Sequence, residues 1–357
     1  MRRTARMLVM VTAGAALGAG GSGCGRPAGV IFDPANAAYV WPPPPDAPRI
    51  RYLGQIATDQ DLKPARGPGR QIGAVLFGKE AARAMLSPLG LCTDGADRLF
   101  VADSNAQALH VFDLRTRRYE QWRPPAGSEA FSQPVAVAWD PGGAGGAGGA
   151  GRVLVCDSMG RAVFAFSSAG AFLGTLGRSH LVRPCGIAVG ADGRLFVADA
   201  GLHQVVVLTR EGEVAARLGG RGVGAGEFNF PTNVALDAGG RLYVSDSLNF
   251  RVQVFGPDLA PLRQIGRKGD VPGTFAQPKG VAIDPDGHLY VVDAHFEAVQ
   301  VFDPEGTLLL TFGREGRGPG EFWLPAGVHI DGGGRVWIAD SYNRRVQVFQ
   351  YLAEGKP

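Results

Sequence analysis

The chain has 357 residues, 36 of them basic and 33 acidic, for a formal charge of +3; glycine fills 54 positions and proline 25. That glycine content is about twice the ~7% of average chains, yet hydrophobic content is 45%, which excludes wholesale disorder. Collagen is excluded because glycine has no three-residue period, long helices because glycine and proline would break them, and a dense disulfide scaffold because the chain holds four cysteines. What remains is a turn-rich, all-β chain.

In chain order, the first segment reads as an export signal over residues 1–23. Arg2, Arg3 and Arg6 form a positive start, and Met7 to Leu17 is an apolar run too short to span a bilayer. Small residues, Gly20-Gly21-Ser22-Gly23, then lead to Cys24. This pattern resembles a bacterial lipoprotein signal, which implies cleavage before Cys24 and its acylation. Gly21 departs from the Leu-like residue that the pattern prefers. The three arginines of this segment carry the whole charge excess, so the remainder has 33 basic and 33 acidic residues.

Residues 24–48 are polar and proline-rich, with Pro42-Pro43-Pro44-Pro45 and Pro48. Four consecutive prolines favour an extended spacer. A loop packed on the folded body through Tyr39 and Trp41 is the other reading, and the sequence leaves both open.

The rest is a repeat, best seen by aligning PTNVALDAGGRLYVSD (231–246), PKGVAIDPDGHLYVVD (278–293) and PAGVHIDGGGRVWIAD (325–340). Further copies begin at Pro88, Pro134 and Pro184. The six lead prolines are spaced by 46, 50, 47, 47 and 47 residues, and the long interval contains a Gly/Ala insertion at 142–151. Each copy predicts four strands, typified by Val281–Ile283, Leu289–Val292, Arg251–Phe255 and Leu308–Phe312, separated by Asp/Gly turns. Four short strands every ~47 residues predict a β-propeller, since a lone blade cannot bury both of its faces. Blades are expected to start near 86, 132, 182, 229, 276 and 323. After Phe349 only eight residues remain, too few for a fourth strand. Arg49–Gly54 resembles Leu262–Gly266, so residues 49–56 are predicted to close the last blade and remove an open edge. Residues 57–85 then link to blade one, with a short helix expected over Lys79 to Met85.

The blade pattern resembles the NHL repeat, and Pro231–Phe255 and Pro325–Phe349 match it nearly throughout. The resemblance spans about residues 86–349, and the whole chain looks like bacterial six-bladed NHL propeller lipoproteins. It implies a six-bladed propeller with four-stranded blades. It does not imply one function, because such propellers include binding platforms, sensor ectodomains, RNA-binding modules, zinc-dependent amidating lyases and calcium-dependent lactonases.

In those enzymes the residue after each lead proline faces the channel mouth and holds the metal. Here the slots carry Leu89, Val135, Cys185, Thr232, Lys279 and Ala326, with Asn233 one position later. There is no histidine or carboxylate among the six, whereas zinc takes about three protein ligands and calcium six or more oxygens. No metal and no cofactor is therefore expected. His203 and His295 fall in second-to-third strand turns near the mouth, at different offsets. The recurrent Asp103, Asp157, Asp199, Asp246, Asp293 and Asp340 are read as structural, each accepting backbone N–H bonds in the turn that follows. Arg251 and Arg345 are expected to tie those turns, and Cys92 and Cys156 to fill core positions. Phe131, Phe228, Phe275 and Phe322 recur in connecting loops and read as packing between blades.

Glu227, Asp270, Glu315 and Glu321 interleave with the basic loop residues, which is not the stripe that nucleic-acid binding needs. The expected function is a membrane-tethered, monomeric binding or scaffold propeller of the cell envelope. It would recognise a protein or an envelope polysaccharide through its mouth face, with Cys185, Thr232, Asn233, His203, Lys279, His295, Phe296 and Tyr342 as candidates. The alternatives are a metal-dependent hydrolase or lyase, and a part of a larger envelope assembly.

Overall fold

The computed structural model describes residues 29–63, 82–142 and 151–352. The signal segment, Cys24, most of the Gly/Ala insertion and residues 79–81 of the expected helix lie outside these. Of that helix, the described remainder is not helical: Ala84 forms an isolated bridge with Thr58.

Six antiparallel sheets form a closed ring, a six-bladed β-propeller. The innermost strands are Pro88–Thr93, Pro134–Asp140, Pro184–Val189, Pro231–Leu236, Pro278–Ile283 and Pro325–Ile330, and each contacts the next, the last returning to the first. They start earlier than the apolar pattern predicts. The lead proline pairs with the blade aspartate, as Pro278 does with Asp293, before a register shift. Proline is tolerated there because it opens the strand.

The core is six clusters, one at each seam between blades. Phe196, Ala198, Val205 and Val207 of blade three, for example, pack on Val234, Leu242, Val244 and Phe255 of blade four. This follows from the period-two pattern of the inner strands, which sends apolar side chains to both faces of every blade. Where neighbouring inner strands come closest, a side chain has no room. A Cβ on Gly90 would lie 2.5 Å from the Ala136 Cα, and one on Gly186 would lie 2.6 Å from the Asn233 Cα. The glycine of the Pro-x-Gly signature is thus a seam residue. Phe131, Phe228, Phe275 and Phe322 are all buried in the seams.

Closure occurs as predicted. Ile50–Ile56 pairs antiparallel with Arg345–Tyr351 and supplies the fourth strand of blade six. Ile50, Tyr52 and Ile56 are buried. Of the two readings of the proline-rich stretch, the packed one holds over the described part: Val40–Trp41 adds a fifth strand to this sheet. The Trp41 ring lies 5.8 Å from Phe349 and 6.1 Å from Phe312. Among the described residues no helix is long and apolar enough to cross a membrane.

Candidate functional site

The blade aspartates build the mouth face from below. All six are fully buried. Each reaches back to the loop that enters its own blade: Asp103 accepts from the Leu86 and Ser87 N–H groups, Asp157 from Ser132 and Gln133 and Asp199 from Val182 and Arg183. Asp293 accepts from Ala276, Gln277, His295 and Phe296 at 2.8 to 3.3 Å. In blades four and six an arginine joins, with Arg251 Nε 2.8 Å from Asp246 and Arg345 Nε 2.7 Å from Asp340. These carboxylates fix the loops and have no free oxygen edge toward solvent.

Four residues after each blade aspartate the chain turns through a left-handed residue: Gln107, Arg161, His203, Phe250, Glu297 and Arg344, with φ between 47° and 57°. Three of these link to the loop entering the next blade, Gln107 by donating its amide to the Ser132 carbonyl at 3.2 Å. His203 Nδ1 accepts from the Phe230 N–H at 3.3 Å, and the Glu297 carboxylate accepts from the Leu324 N–H at 2.5 Å. His203 is thereby a seam residue. Serine after the aspartate makes a second link: Ser247 donates to the Pro278 carbonyl, and Ser341 to the Pro88 carbonyl at 2.6 Å.

The loops of blades four and five enclose an open cavity of about 840 Å³ on this face. It brings together three of the sequence candidates, Thr232, Lys279 and His295. Phe230, Leu248, Phe250 and Ala276 supply apolar walls. Lys279 rises from the inner strand of blade five. Burial pushes its ammonium below the usual lysine range, and Glu297 pulls the other way. Burial also raises the Glu297 carboxyl, against its bond from Leu324. Lys268 stands on the rim, 5.2 Å above the Phe250 ring, a cation–π contact.

The remaining candidates lie elsewhere. Cys185 sits at the mouth of blade three, 3.9 Å from Ser158 Oγ, and burial raises its thiol above the ordinary range, so it is not an activated thiolate. Asn233 is part of the blade three–four seam, its Cα against Gly186. Phe296 is half-buried beside Asp293. Tyr342 is 59% exposed and its ring lies 5.5 Å from that of Trp323, which Arg317 covers. Ser247, Leu248, Gln277 and Glu297 were not singled out from sequence. Their common signal is repeat position, since every second-to-third strand turn and every blade-entry loop ends at the mouth.

Two comparisons of the whole chain fit this architecture. Residues 90–315 match the family described as SMP-30/Gluconolactonase/LRE-like region. The chain belongs to that family. Residues 322–349 also match the NHL repeat, in line with the blade signature. No curated protein matches the sequence. Among solved structures, a streptogramin B lyase is similar at 13% identity and TM-score 0.55, over 75% of this chain and 94% of that one. An auxiliary nutrient binding protein from Bacteroides thetaiotaomicron is similar at 12% identity and TM-score 0.58, over 75% of this chain and 69% of that one. A catalytically inactive virginiamycin B lyase from Staphylococcus aureus with quinupristin is similar at 11% identity and TM-score 0.54, over 74% and 95%. At such identities the likeness is one of fold.

A metal of the kind held by lactonase or amidating-lyase propellers does not fit this family member's mouth. The slots hold four apolar or thiol side chains, one hydroxyl and the Lys279 ammonium, and a cation repels a divalent ion. The nearest carboxylates are spent on backbone N–H groups. Among the described residues no group of three or more His, Cys, Asp or Glu side chains is arranged to hold a metal ion.

Proposed function

We propose that the chain is a binding propeller of the bacterial cell envelope, exported by residues 1–23 and tethered through acylated Cys24, whose mouth face recognises a partner. One observation carries the recognition surface. Of the exposed large apolar side chains among the described residues, Leu86, Met159, Val182, Val223, Leu248, Val271, Trp323 and Tyr342 all lie on mouth-face loops. The others are on the outermost strands (Leu173, Leu262, Leu309) or in the N-terminal stretch (Val30, Tyr39). Apolar exposure gathered on one face marks an interaction site. Aliphatic side chains predominate there, which favours a protein over a polysaccharide, since sugars stack chiefly on aromatic rings.

The test is capture from envelope extract with wild type and a Leu248→Asp/Val271→Asp/Tyr342→Asp variant. A partner recovered by wild type and lost with the variant is expected; equal recovery sinks the reading. Metal analysis of the purified protein addresses the hydrolase or lyase alternative, which stoichiometric zinc or calcium would favour. For the tether, Cys24→Ala is expected to move the protein from membrane to soluble fractions.

A further inference from the structure

We propose that the cavity between blades four and five takes a carboxylate carried on an apolar body, with the Lys279 ammonium as its counter-ion. This rests on the reading of the mouth face as a binding surface and names the chemistry of one part of it.

The side chain that decides the ligand is Lys279. Among the described residues Lys279 makes no ion pair and no hydrogen bond, although it is half-buried in the cavity wall. A cation withdrawn from water is costly unless paired. The acidic group it senses, Glu297, is held by the Leu324 N–H. Asp293 beneath the cavity is committed to four N–H groups. Asp270, the carboxylate in the lining, is exposed on the rim beside Lys268. The inner end is therefore positive with no internal anion to neutralise it.

The other lining groups narrow the ligand. Ser247 gives its hydroxyl proton to the Pro278 carbonyl, so Thr232, 2.6 Å away, donates to Ser247. Neither hydroxyl has a proton left for an anion. The N–H groups of Ala276, Gln277 and His295 point to Asp293. A phosphate needs a nest of N–H donors or an arginine fork, and no such set faces the cavity. One ammonium at the end of a pocket walled by Phe230, Leu248, Phe250 and Ala276 suits a single carboxylate with an apolar or aromatic group beside it.

Two sources share this chemistry: a small organic acid and an acidic residue of a protein segment. The experiment is titration of the full-length protein, followed by ligand-observed NMR. The probes are 4-phenylbutyrate, its uncharged counterpart 4-phenylbutanol, and a capped Leu-Phe-Glu-Leu peptide with its Leu-Phe-Gln-Leu control. Each acid is expected to bind at least about tenfold more tightly than its neutral control, the scale of one charge-assisted contact. Lys279→Met is expected to remove that difference while leaving phenylbutanol binding unchanged, and Lys279→Arg to retain part of it. Tighter binding of phenylbutyrate assigns the site to small acids, and tighter binding of the peptide to a protein segment. Equal affinity for acid and neutral probe, undiminished acid binding by Lys279→Met, or no saturable binding of either acid up to ~10 mM overturns the proposal. The melting temperature of each variant checks its fold, and Lys279→Gln replaces Lys279→Met if the latter does not fold. Equal affinity for acid and neutral probe, with partner capture still lost in the Leu248/Val271/Tyr342 variant, leaves the binding face standing and removes the carboxylate alone.

Discussion

The two faces of the propeller both recruit aspartate, and they use it differently. At the mouth face Asp103, Asp157, Asp199, Asp246, Asp293 and Asp340 are buried and accept from backbone N–H groups. At the opposite face the first-to-second strand turns carry a second ring, whose aspartates also accept from backbone N–H groups; there every aspartate also pairs with a basic side chain, whereas at the mouth Asp103, Asp246 and Asp340 do and Asp157, Asp199 and Asp293 do not. The pairs are Asp94–Arg98, Asp140–Arg152, Asp192–Arg194, Asp237–Arg241, Asp284–His288 and Asp331–Arg335, at 2.5 to 2.9 Å. Several arginines of that ring also cross a seam, as Arg98 does to the Ser168 carbonyl and Arg335 to Asp97. Five of these six carboxylates thus have an arginine counter-ion within the molecule. At the mouth face the loops are fixed from below, apolar side chains are left exposed, and Lys279 is left unpaired. The contrast identifies the mouth as the side with unsatisfied surface.

Four measurements test this contrast. The largest effect is expected from deleting residues 49–56, which serve both faces by closing the ring. Losing the burial of Ile50, Tyr52 and Ile56 costs about 5 kcal/mol or more at ~1.5–3 kcal/mol per side chain. At ~2–4 °C per kcal/mol for a domain this large, calorimetry should show a fall beyond ~10 °C; an unchanged melting temperature would remove the role of the latch.

Next is Asp340→Ala at the mouth. It strands the guanidinium of Arg345, itself only 7% exposed, and breaking a buried pair by removing one partner costs ~3–5 kcal/mol. Denaturant titration should resolve it.

The third prediction concerns pH. His329 occupies a position held by alanine in blades two to five and bonds Thr93 across the blade six–one seam at 2.9 Å. Burial lowers its pKa from 6.5 to about 4. Between those values the unfolded chain takes up a proton that the folded chain refuses. The associated stability is fully present above pH 6.5 and is lost as pH falls toward 4. Melting temperatures at pH 7 and pH 5 should diverge in wild type, and diverge less in His329→Gln. An equal divergence would show that other groups carry the acid sensitivity.

The smallest effect belongs to the opposite face. Asp192 and Arg194 are 50% and 39% exposed in their side chains, and exposed pairs are worth ~0–1 kcal/mol. Asp192→Ala should shift the denaturation midpoint barely at all. A loss matching that of Asp340→Ala would erase the distinction between the two rings.

The repeat made most of the fold legible in advance. Strand positions, blade number and the closing strand follow from local patterns that recur six times, so each copy checks the others. Arg49–Gly54 could be placed in blade six because it resembles Leu262–Gly266, the outer strand of a sister blade. The site was less legible. Thr232, Lys279 and His295 were candidates as single positions. Their joining into one cavity depends on how the loops of two consecutive blades, with Thr232 in blade four and Lys279 and His295 in blade five, meet at the mouth. Glu297 was overlooked because its role is to bond Leu324, 27 residues away. His203 and Cys185 were reasonable by position, but the first is consumed by Phe230 and the second is held as a thiol by burial.

Sequence patterns alone specify an all-β ring of six blades with an N-terminal strand latching the last, and equal numbers of acidic and basic residues after position 23. Those properties rest on period-two hydrophobicity and turn chemistry, which act over a few residues at a time. The tertiary structure alone decided three things. The proline-rich stretch lies at the blade five–six seam because Trp41 finds Phe312 of blade five and Phe349 of blade six there. The apolar side chains that escape burial fall mainly on one face because the blade-entry and second-to-third strand loops all end at the mouth. Lys279 is unpaired because the carboxylates around it are already bound to backbone N–H groups, an allocation settled only when the blades come together.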